Sequence, residues 1–279
     1  MLLRRLSFVA GAVLAAATFW YATRTPSSAR EWAVEQSRLP LAHVDGDQVR
    51  IRDVRNFRWN ADGGAVAFEP AWEERSYRLE DLDSMWYVLS PFGRDWRGPA
   101  HGMLSFGFSD TAFVAISVEA RKETGESYSI WRGLLRQFEL AYIVADERDV
   151  IGLRANAWDD DVYVYPLRVE PDRIRSIFVS MLERANRLHD EPAFYDTFRT
   201  SCTTTLLSHA NAVASRPIRG GYRVLLPGYS DELLHSRGLL RTDLSLDAAR
   251  DTFRVNDRAT PLDETFSLRI RTPQRERRT

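Results

Sequence analysis

Cysteine and lysine are nearly missing from this chain: of 279 residues, one is cysteine (Cys202) and one is lysine (Lys122). A lone cysteine excludes an internal disulfide and every multi-cysteine zinc arrangement. Arginine therefore supplies almost all of the positive charge, and 38 basic residues against 39 acidic ones leave a net charge of −1. Without a basic excess, no nucleic-acid partner is expected. Glycine and proline, at 15 and 12, are too few for a collagen-like or low-complexity chain. After residue 29 there is no run of about 18 apolar residues, which excludes a polytopic membrane protein. There is no P-loop, G-x-G-x-x-G, H-E-x-x-H or G-x-S-x-G pattern, and no cofactor is expected. What is present is 44% hydrophobic and 11% aromatic residues, ample core for one large or two small domains.

The first 29 residues hold Arg4, Arg5 and Arg24 and no acid, so the remainder carries 35 bases against 39 acids. Leu6 to Ala22 is uncharged and ends in Phe19, Trp20 and Tyr21. A basic flank before about 17 apolar residues reads as a signal peptide or a short membrane anchor. The aromatic triplet suits an interfacial belt, and the favoured reading is an uncleaved anchor helix in the inner membrane. The basic flank would stay inside, with the bulk of the chain facing the periplasm. Residues 30–44 then read as a linker and 45–279 as a single domain.

Within that domain, strand patterns cover 49–59, 85–89, 102–108, 113–118, 138–144, 150–153 and 162–167, with a turn at Asp62-Gly63-Gly64. Pro171 to Leu188 is a strongly amphipathic helix. A second helix begins near Cys202 and ends before Arg216-Pro217, and a short one spans Ser230 to Leu234. Strands in a row followed by helices in a row predict an α+β fold with an antiparallel sheet.

Cys202 follows Thr200-Ser201, either of which can cap the second helix. A lone cysteine is most often a small buried apolar residue; at a helix start it is also placed to act as a nucleophile. Of the five histidines, His209 is two helical turns from Cys202, and His43, His189 and His235 sit in polar surroundings. His101 stands where an apolar strand begins. If the strands on either side of Ser109-Asp110-Thr111 form a hairpin with a three-residue loop, Phe108 pairs with Ala112 and His101 with Glu119. A carboxylate there would orient the ring; a surface cross-strand pair fits the same geometry. Trp158-Asp159-Asp160-Asp161 reads as a solvated turn and Glu147-Arg148-Asp149 as an ion-paired connection.

Phe68-x-x-x-Trp72, the run from His101 to Phe108, Ser117 to Glu123, Val144 to Asp149, Thr200 to Thr204 and Leu226 to Asp231 together resemble the Lnb N-terminal periplasmic domain family. That family is similar to circularly permuted papain-like, NlpC-type thiol enzymes. The resemblance implies Cys202 as nucleophile, His101 as general base and Glu119 as the orienting group. Family members commonly have Asn before the cysteine, where this chain has Ser201. Members with appended transmembrane segments are linked to lipoprotein N-acylation. The resemblance therefore implies a membrane-anchored cysteine acyltransferase or hydrolase acting on lipoprotein or phospholipid acyl groups. A cell-wall amidase or peptidase, and a non-catalytic binding or assembly module, are the competing readings.

Overall fold

Period-2 alternation of apolar residues builds the centre of the molecule, a sheet with one buried face on each side. The computed structural model describes residues 11–12, 15–16, 18–60, 67–93, 97–109 and 112–272. Most of the expected anchor, the Asp62-Gly63-Gly64 turn and two residues of the Ser109-Asp110-Thr111 loop lie outside these. Among the described residues no helix is long and apolar enough to cross a membrane.

The strands are β1 (Leu41–Asp45), β2 (Gln48–Arg55), β3 (Arg58–Asn60), β4 (Ala67–Glu69), β5 (Trp72–Arg78), β6 (Leu82–Pro91), β7 (Ala100–Phe108), β8 (Ala112–Arg121), β9 (Glu139–Ala145) and β10 (Tyr163–Pro166). Eight of them form one sheet in the order β1-β2-β9-β8-β7-β6-β10, with β5 also on β2, while β3 and β4 pair separately. All pairs are antiparallel except β2 with β9. The helices are α1 (Ile130–Leu134), α2 (Glu147–Gly152), α3 (Pro171–Asp190), α4 (Cys202–Val213), α5 (Tyr222–Leu225), α6 (Ser230–Ser236), α7 (Leu246–Phe253) and α8 (Phe266–Arg269). The α+β class and the mostly antiparallel sheet agree with the sequence reading.

Alternation assigns every central side chain to one of two cores. Leu104, Phe106, Val114, Ile116 and Val118 meet Ile174, Ile177, Phe178 and Leu182 of α3 and Leu206 of α4. Met103, Ala115 and Ile143 meet Val150 and Ile151 of α2, and Phe266 and Ile270 at the C-terminal end. Helix α3 buries the stripe that its sequence spacing predicts, from Ile174 through Leu188. Phe178 packs edge-on to Phe106 at 5.0 Å between ring centroids.

Two expectations are corrected. Residues 150–153 are not a strand: Asp146 caps a helix by accepting from the Arg148 N–H at 2.9 Å, and the apolar run buries one side of that helix. A four-residue apolar run has no period of its own, so the cap decides. The segment read as a linker is also largely packed. Residues 41–45 are strand β1, and Trp32 and Ala33 lie along the end of β8, with Ala33 N donating to Lys122 O at 2.9 Å.

Candidate functional site

The β7–β8 hairpin has the register that a three-residue loop dictates, with Phe108 opposite Ala112 and pairing continuing to Met103 opposite Ser117. His101 and Glu119 lie two residues beyond that last pair and are joined by a side chain the sequence reading did not single out. The Ser117 hydroxyl donates to Glu119 Oε1 at 2.9 Å and accepts from His101 Nε2 at 2.7 Å. A hydroxyl has one proton, so this order places the imidazole proton on Nε2. Ser117 was legible only as the residue two before Glu119, on the same strand face. Glu119 also accepts from Gln36 Nε2 at 2.7 Å. Burial alone would raise its pKa, but Arg55, His101 and Arg154 outweigh that and hold the carboxyl well below its ordinary range. Burial, with Arg154 nearby, pushes His101 down, so the ring is neutral.

Arg55 pairs with Asp149 in two bonds of 2.8 and 3.0 Å. Ser105 and Arg271 both reach Glu147, the latter at 2.6 Å. The Glu147-Arg148-Asp149 stretch is thus ion-paired throughout, as its sequence suggests. In the later acidic turn, Asp161 pairs with Arg254 at 2.7 Å and Asp160 accepts from Ser90 at 3.1 Å.

Cys202 is the first residue of α4. Ser201 and Thr204 form a reciprocal capping box, which explains why the helix starts there. The thiol is 5% exposed, and its sulfur lies 3.6 Å from Thr203 Oγ1. It packs in the core with Leu104 and Leu206, whereas His101, Ser117 and Glu119 share the face of Met103 and Ala115. The structure therefore joins His101 to Glu119 and joins neither to Cys202; the sheet stands between them. Strand register can be read from a loop length, but which face a distant helix covers cannot.

His209 is also more engaged than its sequence position suggests. Nε2 meets the Tyr142 hydroxyl and Nδ1 the Ser180 hydroxyl, each at 2.8 Å, tying α4 to β9 and α3. Burial first, then Arg184 and Arg187, lower its pKa to about 4. Both histidines are thus neutral when folded but protonate near pH 6.5 when unfolded. The unfolded state binds more protons below that pH, so stability is full above about pH 6.5 and falls on acidification. Each histidine steepens that fall by up to about 1.4 kcal/mol per pH unit. Below the ordinary glutamate range Glu119 adds to the loss, because its carboxylate is stabilised only in the fold. Thermal melts from pH 7.5 to 4.5 should show Tm level above about pH 6.5 and dropping below it, with a shallower fall in His209→Gln; a flat profile down to pH 5 would refute the buried neutral rings.

A cavity of about 380 Å³ lies on the Cys202 side of the sheet. Its floor is Met85, Tyr87 and Leu104; α4 supplies Leu206, Leu207, Ala210 and Val213, α3 supplies Ile177, and α6 supplies Leu233 and Leu234. Thr203 and Ser230 also line it, and Ser230 Oγ lies 2.8 Å from the Tyr87 hydroxyl. Burial raises the Tyr87 pKa against the opposing Ser230 hydrogen bond, and Cys202 raises it further, so sulfur, phenol and hydroxyls gather beside a mostly apolar chamber that also has Arg168, Glu170 and Arg173 on its wall. Ser230 stands in the Leu226 to Asp231 motif, its one signal in the sequence; nothing local marked Tyr87. Among the described residues, no cluster of three or more His, Cys, Asp or Glu is arranged to hold a metal ion.

A family model described as the Lnb N-terminal periplasmic domain matches residues 68–227, more than half of the chain. The match spans His101, Glu119, Cys202 and most of the α3–α4 cavity wall. No curated protein and no solved structure matches the chain.

Proposed function

Because the chain belongs to the Lnb N-terminal periplasmic domain family, we propose that it is a periplasmic domain that takes a fatty acyl chain into the α3–α4–α6 cavity and accepts the acyl group on Cys202. The observation that carries this reading is the cavity itself, lined mostly by apolar side chains, with Arg168, Glu170 and Arg173 also on its wall and the Thr203, Ser230 and Tyr87 hydroxyls on the part next to Cys202. Ligand sites of this kind combine a mostly apolar lining with a few placed polar groups. In the reaction, sulfur forms a bond to the acyl carbonyl carbon as that carbon's bond to the leaving oxygen or nitrogen breaks. The thiol proton departs with the leaving group, and water or an amine then releases the acyl group from the thioester. Tyr87, Thr203 and Ser230 are the hydroxyls placed beside that exchange. His101, Ser117 and Glu119 lock the other face of the sheet and take no part in it. In this reading the uncharged Leu6 to Ala22 run anchors the chain at the inner membrane. The predominantly apolar lining suits an acyl chain better than the peptide of a wall amidase.

The test is intact-protein mass spectrometry of the full chain after incubation with phospholipid vesicles. Wild type should gain the mass of one fatty acyl group, removable by hydroxylamine, and Cys202→Ala should gain none. Ala210→Phe, which fills the chamber, should cut the yield at least several-fold while leaving the fold intact by circular dichroism. Absence of any adduct on wild type would overturn the acceptor role.

The burial of Cys202 and its separation from His101 favour a second reading, in which the same cavity holds a lipid chain without reacting. Non-covalent lipid extracted equally from wild type and Cys202→Ala, with no adduct on either, would establish it.

A further inference from the structure

A group of exposed apolar side chains gathers around α1. Trp131 is 74% exposed and Phe198 52%, and Ile130 and Leu135 are exposed beside them. These residues come from two loops that are fastened together. Thr197 Oγ1 donates to the Ile130 carbonyl at 3.0 Å, and Gly133 leaves no room between α1 and the Thr197 and Tyr195 side chains. A chain that spends a hydrogen bond and a close glycine contact on fixing two exposed aromatic residues side by side presents a surface rather than a frayed loop. Soluble domains rarely expose contiguous apolar patches of this kind.

The same surface receives the end of the N-terminal segment. Residues 18–23 are helical, and the Arg136 guanidinium lies 4.2 Å over the Tyr21 ring, with Nη1 donating to the Tyr21 carbonyl at 3.5 Å. Phe19 and Trp20, at the end of the uncharged sequence run, are exposed next to it. Arg132 and Arg199 are exposed beside the aromatic residues, and Arg24 stacks on Trp20 at 4.7 Å. Of the two acids in the second loop, Glu191 directly follows α3, and Asp196, the one beside Phe198, is engaged with the backbone N–H groups of Phe198 and Arg199. Aromatic side chains with arginines at their margin match the headgroup layer of an anionic bilayer.

We propose that the face formed by Ile130, Trp131, Leu135 and Phe198 docks on an anionic lipid surface, continuous with the N-terminal segment. Docking sets the domain's orientation on the bilayer, which an anchor alone leaves free. It also brings the start of α4, four residues past Phe198, toward the lipid. The docking stands on these exposed side chains and does not depend on Cys202 reacting.

The test uses the full chain in vesicles of phosphatidylethanolamine and phosphatidylglycerol, on a Cys202→Ser background. Nitroxide labels are placed through Ile130→Cys, Phe198→Cys or, on α7 beside β10, Asp247→Cys. Labels at 130 and 198 should collide several-fold more with oxygen than with a water-soluble nickel chelate, and the label at 247 should show the reverse. Replacing phosphatidylglycerol by phosphatidylcholine should reduce the difference. Labels at 130 and 198 as open to the chelate as the one at 247, on vesicle-bound protein, would overturn the proposal. Labels shielded from both reagents would overturn it too, showing a protein partner on this face.

Discussion

Asp149→Ala is expected to lower the unfolding free energy by about 3–5 kcal/mol, the usual consequence of removing one partner from a buried ion pair. Asp149 is fully buried and accepts four hydrogen bonds, two from Arg55 at 2.8 and 3.0 Å, one from Phe57 N at 2.9 Å and one from Trp59 Nε1 at 2.8 Å. Its loss leaves the 3%-exposed Arg55 cation without its partner and orphans a backbone and an indole N–H. The arrangement fastens β2 and β3 to α2, so the damage spreads across that edge of the sheet. Urea unfolding should show the midpoint falling with an unchanged slope. Asp149→Asn should cost less, since the amide oxygen still accepts. The Arg55→Met, Asp149→Leu pair should recover much of the loss, because it removes both buried charges together. A single-variant loss below about 1 kcal/mol would show that Arg55 finds water or another carboxylate.

Gly228→Ala is expected to be nearly as damaging, and through shape alone. A methyl group there would fall on the Arg97 carbonyl oxygen, a backbone atom that cannot rotate away. Overpacking generally costs about 1–3 kcal/mol, and the upper end applies where backbone must move. Gly228 N donates to the Gly98 carbonyl at 3.1 Å, and Arg97 Nε donates back to the Gly228 carbonyl at 3.3 Å. This clamp sets the start of α6, where Ser230 meets Tyr87 beside Cys202 and where Asp231 receives Arg97 and Arg250 at 2.9 and 2.8 Å. The variant should therefore lower Tm and also weaken lipid retention by the cavity. Gly220→Ala is the matched control, with open space around the added methyl. Equal melts for the two variants would show that the clamp yields without cost.

The sequence alone determined what is local. Seven apolar positions at helical spacing made α3, a hydroxyl pair before an apolar run made the start of α4, and the loop length set the β7–β8 register. Each depends on residues a few positions apart, where spacing and capping chemistry decide. The short run at 150–153 failed because four residues show no period, and the Asp146 cap prevailed. Tertiary structure decided the rest. His101, Ser117 and Glu119 became a buried chain because strand alternation aligns them, while Cys202 came to lie across the sheet because α4 packs on the other side. The cavity exists only where α3, α4 and α6 meet over β6 and β7, contributed by residues 85 to 239. The lone cysteine was plain from the first reading; its neighbours were set by which face of a sheet a distant helix covers, and no local pattern encodes that.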